Sequence, residues 1–145
     1  MIHLLAILGY AETHLLTLLL AGLSSVFLGM PWYGPLFGKQ WMEANSITPP
    51  KKEDMKFSMM LPGMAGSVTT AVIQAAFIGR AFQILSLGSP LDAIAIATLV
   101  WLPFTGLTFF SNYIWVGRPM KLSFIDGGFY LVSLWVISLI CYATL

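Results

Sequence analysis

Asp126 is the residue with the most chemistry to offer. It stands about 7 Å of helical rise beyond Lys121 in an otherwise apolar run, so its carboxylate lies just inside a hydrocarbon layer or at its headgroup boundary. One use of such a group is structural: it pairs with Arg118, Lys121 or Lys39, or accepts hydrogen bonds from Tyr33 or Asn112. The other is a protonatable or cation-binding carboxylate, with Tyr130 one turn deeper on the same helix face. Asn112 adds an amide that both donates and accepts between helices, and Gln74 adds another. Asp126, Asn112, Gln74 and Tyr130 form the candidate polar or ion site.

No other residues gather into a reaction centre. Serines and threonines are plentiful, but no histidine falls on the side where Asp126 would orient it, so an enzyme is not expected. Glu12 and His14 read as ordinary polar residues at a helix start, His3 is remote, and Cys141 has neither a second thiol nor a nearby histidine. Neither a metal nor a cofactor is expected. Gly127-Gly128 lies within an apolar run and suits close packing of helices better than a phosphate loop. The net charge is +1 and the basic residues are spread between loops, which suggests no nucleic-acid surface.

The scaffold for these groups follows from composition. Of 145 residues, 58% are hydrophobic and 9% charged, and mean hydropathy is +0.84, far too apolar for a soluble domain of this size. A hydrocarbon core of about 30 Å takes roughly 20 helical residues. Four runs qualify, at about 13–34, 58–80, 91–115 and 122–144, so the lipid bilayer is the first partner and the fold is an all-α, integral membrane four-helix bundle. The start of the chain lacks the basic residues and small-residue cleavage site of a signal peptide and is expected to be retained. Residues 1–11 read as a short interfacial segment, since one helix continuous with the first span would carry Glu12 into the bilayer.

The first span ends in Pro31-Trp32-Tyr33-Gly34-Pro35, where two prolines and a glycine stop regular helix. Trp32, Tyr33 and Trp41 look like an interfacial aromatic belt. Residues 38–56 then carry most of the charge, as a solvated loop with a helical lead-in at Thr48-Pro49. On the second span Gly63, Ser67, Ala71, Ala75 and Gly79 place a small residue at every fourth position, a face another helix can approach closely. Gly66, Thr70 and Gln74 form a more polar stripe beside it, and Gln74 should face protein because an amide in lipid is costly. Ser89, Pro90 and Asp92 predict a capping box at the start of the third span. Pro103 predicts a kink that frees the Leu99 carbonyl, with Thr105 and Thr108 available to repair it.

The loops after spans one and three hold Lys39, Lys51, Lys52, Lys56, Arg118 and Lys121, against Arg80 alone on the other side. Loops 38–56 and 116–121 are therefore expected in the cytoplasm and both termini outside. Phe37-Gly38-Lys39 recurs as Val116-Gly117-Arg118, each after an aromatic cluster, so a duplication into two hairpins related by a pseudo-two-fold axis is one arrangement the sequence allows.

The chain also resembles a family, the uncharacterised four-span membrane proteins of domain of unknown function 1761, found mainly in bacteria. The resemblance runs from about Leu15 to the C-terminus. It rests on Trp32 to Trp41, including Pro35, Gly38 and Lys39, on Trp101-Leu102 with Phe104 and Asn112, and on Arg118-Pro119 followed by Asp126. It implies the four-span fold and a bacterial inner (plasma) membrane, and brings no activity and no functional residues. Where the family is expected to place a histidine beyond its aspartate, this chain has Phe129 and then Tyr130, so proton handling through that histidine does not transfer.

Two functions fit. One is an accessory or interaction subunit whose small-residue and aromatic faces dock on a larger membrane complex or on other copies as a homo-oligomer. The alternative is a small oligomeric transporter or channel with a polar path near Asp126, Asn112 and Gln74.

Overall fold

The computed structural model describes residues 9–10, 12–48, 57–86 and 88–144. Among them no strand occurs, and four helical segments are long and apolar enough to cross a membrane: Leu15–Leu36, Leu61–Leu85, Pro90–Val116 and Met120–Thr144. The chain is an all-α four-span bundle. Of the interfacial segment expected over 1–11, only Gly9 and Tyr10 lie within the described residues, and Lys51, Lys52, Glu53, Asp54 and Lys56 of the charged loop lie outside them.

Helix α1 (Leu15–Pro31) runs into a wide turn at Trp32–Leu36. Pro35 has no N–H to continue the ladder, Gly34 leaves helical geometry at φ −102°, ψ −105°, and the Phe37 N–H bonds five residues back, to the Trp32 carbonyl at 2.9 Å. The chain re-enters helix at once as α2 (Gly38–Ala44). This corrects the expectation of a solvated loop beginning at residue 38. The re-entry needs Gly38, where a β-carbon would collide with the Tyr33 carbonyl.

Helix α3 (Leu61–Leu85) reaches past the expected end near residue 80. Arg80 does not terminate it, because a long side chain at a helix end carries its charge toward the surface while its backbone stays helical. The stop comes at Ser86, which adopts a left-handed conformation at φ 51°. Ser89 and Asp92 form the capping box at both hydrogen bonds, each 3.1 Å, and start α4 (Pro90–Trp101). At Pro103 a second wide turn, Leu102–Gly106, leads into α5 (Leu107–Val116). Thr108 bonds to the Phe104 carbonyl at 2.9 Å, the ordinary back-bond to the residue four before it, and so does not reach the carbonyl of Leu99. Helix α6 (Met120–Thr144) is the last.

Helices α1, α3 and α6 pack against one another, whereas α4 and α5 pack on α6. The most apolar stretch of α6 is 44% buried and that of the third span 11%, which puts α6 at the centre and the third span at the edge. Close approach comes from small residues: Ala21, Ala75, Ala93 and Ala97 are fully buried, and Gly22 sits so near Val68 that a β-carbon would lie 3.1 Å from it. The small-residue face of α3 is divided. Gly63 is exposed, Ser67 half-buried, and Ala71, Ala75 and Gly79 are buried within the chain itself. Cys141 of α6 lies 3.5 Å from the Ala75 carbonyl, and Tyr10 covers Gly79 so closely that a β-carbon there would fall on its ring.

Candidate functional site

Asp126 lies about 9 Å along α6 from Met120, on a side of the helix that faces the exit of α1. It is 8% exposed and receives donors from three separate segments. Arg118, in the turn before α6, reaches Oδ2 at 2.5 Å. The Tyr33 hydroxyl, from the wide turn, donates to Oδ1 at 3.1 Å, and the Trp41 indole N–H, from α2, donates to the same oxygen at 3.0 Å. A carboxylate removed from water is thus given a counter-ion and two neutral donors, which is what its burial requires. Lys39 and Lys121 are exposed, and Arg118–Asp126 is the one ion pair among the described residues.

Backbone carbonyls on either side of Asp126 are held in the same manner. The Trp32 indole donates to the Ile125 carbonyl at 3.1 Å and the Trp101 indole to the Gly127 carbonyl at 2.9 Å. Gly127 and Gly128 make room for these rings: a β-carbon at Gly128 would touch Trp32 at 3.4 Å, and one at Gly127 would lie 3.7 Å from Trp101. Phe129 packs between Trp32 and Tyr33 at centroid distances of 5.9 and 5.0 Å. The Arg118 guanidinium is further steadied over the Phe109 ring at 5.7 Å.

Trp32, Tyr33 and Trp41 are therefore more than a belt at the membrane surface, since each bonds to α6. Trp41 as a ligand of the carboxylate, and Phe129 as the ring they share, were missed by sequence reasoning. Their sequence signal was the density of aromatics in 32–41 opposite a lone buried carboxylate.

The other candidate residues divide. The amide of Asn112 does not reach Asp126 and makes no hydrogen bond among the described residues. Its carbonyl instead closes α5, accepting from Gly117, left-handed at φ 68°, and from Arg118 at 3.3 Å, which aims Arg118 at the carboxylate. Gln74 and Tyr130 both line a cleft of about 230 Å³ between α1, α3 and α6, of whose lining Asp126 is not part. Among the described residues no three of His, Cys, Asp and Glu lie close enough to hold a metal ion.

The family described as "Protein of unknown function (DUF1761)" matches residues 16–142. The chain belongs to the DUF1761 family. No curated protein and no solved structure matches it. In this DUF1761 protein Trp32, Tyr33, Trp41, Trp101 and Arg118, all part of the family resemblance, converge around Asp126 on one end of α6, where they fasten α1, α2 and the third span to it.

Proposed function

We propose that this DUF1761 protein is an accessory or interaction subunit of a bacterial inner membrane, working as a homo-oligomer or against other membrane subunits. Its loops 38–56 and 116–121 are read as cytoplasmic and its termini as external, from the distribution of Lys and Arg. The observation that carries this reading is the third span. It is held by α6 and has little burial, yet it bears the Asn112 amide without a partner among the described residues. Asn112 stands one turn inside the end of α5, half-buried, where its amide is free to bond across to a neighbouring helix. The small-residue stripe of α3 no longer supports the reading, because its buried part serves Tyr10 and Cys141 of the same chain.

Native mass spectrometry after extraction in mild detergent tests it. A defined assembly, loosened by Asn112→Leu, is expected. A strictly monomeric protein in both detergent and nanodiscs would refute it.

The second reading, a small oligomeric transporter or channel, draws on the cleft of Gln74 and Tyr130. Asp126 is occupied by three donors and Asn112 points elsewhere, so within one chain Gln74 and Tyr130 are the candidate residues left to line a polar path.

A further inference from the structure

Depth gives the cleft its meaning. Ser133 follows Met120 by thirteen residues and Gln74 follows Leu61 by thirteen, so both stand about 20 Å along their helices, near the bilayer midplane. Around them Ser25, Ser67, Thr70 and Tyr130 add hydroxyls to a wall that Phe129, Ile137 and Ala71 otherwise make apolar. Ser25 spends its hydrogen on the Gly22 carbonyl at 2.7 Å. Ser133 is 8% exposed and its Oγ has no partner, and Gln74 makes no side-chain hydrogen bond among the described residues. Polar groups so placed lose free energy unless something pairs with them.

The cleft does not end at its polar wall. Through Ser25, Ser67 and Phe129 it joins a groove of about 450 Å³ between α1 and α3, which runs toward the membrane surface at Phe57 and Met60. Most of that groove is apolar, with Met30, Met60 and Met64 along it, side chains that adjust to irregular shapes. Neither cavity is lined by a charged side chain. The nearest ionised group in α6, Asp126, is neutralised by Arg118 of the preceding turn.

We infer that the chain binds an uncharged amphiphile, its hydroxyl or carbonyl head hydrogen-bonded at Ser133 and Gln74 and its apolar body in the α1–α3 groove. Ionised heads are refused because a charge at the midplane would meet no counter-charge. Serine and glutamine both donate and accept, which matches an alcohol or a carbonyl equally. Gly66, Thr70 and Tyr130 leave the cleft's edge exposed, so the ligand enters from the lipid phase. The volume lies within the usual range for ligand sites, which combine an apolar lining with a few placed polar groups. The inference is independent of the association reading, which rests on the third span.

The full chain in phosphatidylcholine nanodiscs is exposed to a diazirine-bearing sixteen-carbon alcohol and, in parallel, to the matching carboxylate, and labelled peptides are quantified. Saturable labelling of α3 and α6 by the alcohol, well above that by the carboxylate, is the expected result. Ser133→Ala, which removes one unpaired hydroxyl without altering the packing, should weaken alcohol binding about five- to tenfold, as loss of one neutral hydrogen bond does. Gln74→Leu should do likewise, and size-exclusion elution reports whether that variant has folded. Competition with a fatty alcohol against a short prenyl benzoquinone distinguishes the two sources of the head group, and displacement by either one supports the site. Equal labelling by alcohol and carboxylate, binding unaffected in Ser133→Ala, or a second copy cross-linked through Thr70 into the cleft overturns the inference.

Discussion

Replacing Asp126 by alanine removes the acceptor for Tyr33 and Trp41 and the counter-ion of Arg118 in one step. Tyr33 and Trp41 are half-buried, and each left without an acceptor costs about 1 kcal/mol, at the lower end of the range for unsatisfied donors. The Arg118 side chain is 30% exposed and can turn to water, so its loss stays below that of a wholly buried pair, at about 1–2 kcal/mol. Asp126→Ala should therefore lose about 3–4 kcal/mol, and Asp126→Asn, which keeps an oxygen for Tyr33 and Trp41, about 1–2 kcal/mol. Reversible unfolding in mixed micelles, followed by tryptophan fluorescence and far-UV circular dichroism, measures both. A double-mutant cycle of Asp126→Ala with Trp41→Phe should show a coupling above about 0.5 kcal/mol. If alanine and asparagine are equally harmful, or alanine is harmless, the clamp is not what joins these segments.

Other changes have defined outcomes. Gly79→Ala puts a methyl group into the Tyr10 ring and should cost about 1–3 kcal/mol while exposing the N-terminal segment to protease; Tyr10→Ala in the same chain should restore most of the stability. Ser89→Ala removes half the capping box and should cost about 1 kcal/mol, with faster amide exchange confined to the first turn of α4. In a Cys141→Ser background, Lys39→Cys and Gly88→Cys should react with a membrane-impermeant maleimide from opposite sides of sealed vesicles, Gly88→Cys from outside; labelling of both from one side contradicts the orientation.

What the sequence could convey was local or shared by a whole side of the membrane. The capping box at Ser89 needs only four adjacent residues, and the spans need only their apolar length. Arg118 and Tyr33 were foreseeable partners of Asp126 because topology alone puts them at the same end. Trp41 was not, because an indole near a headgroup layer has a sufficient explanation in the interface itself and nothing in residues 38–44 announces a helix docked on α6. Asn112 shows a different limit. The wide turn at Pro103 inserts a residue into the helical count, which rotates everything after it by about 100° and turns the amide away from where a regular helix would aim it. The α3 stripe announced a close neighbour but not its identity: α6 comes in at Cys141, and Tyr10, which covers Gly79, carries no signal of that contact in the sequence.

Of the chain's five tryptophans, three that precede α6 send their indole hydrogens into it, and Trp135 of α6 returns one to Thr98 of α4 at 2.9 Å. Order of synthesis gives this a consequence. Helices α1, α3 and α4 enter the membrane before the helix that holds their anchors exists, and α1 and α3 have only each other while they wait. The bundle therefore closes late, since the indole and carboxylate bonds that join these segments form only once α6 is in place.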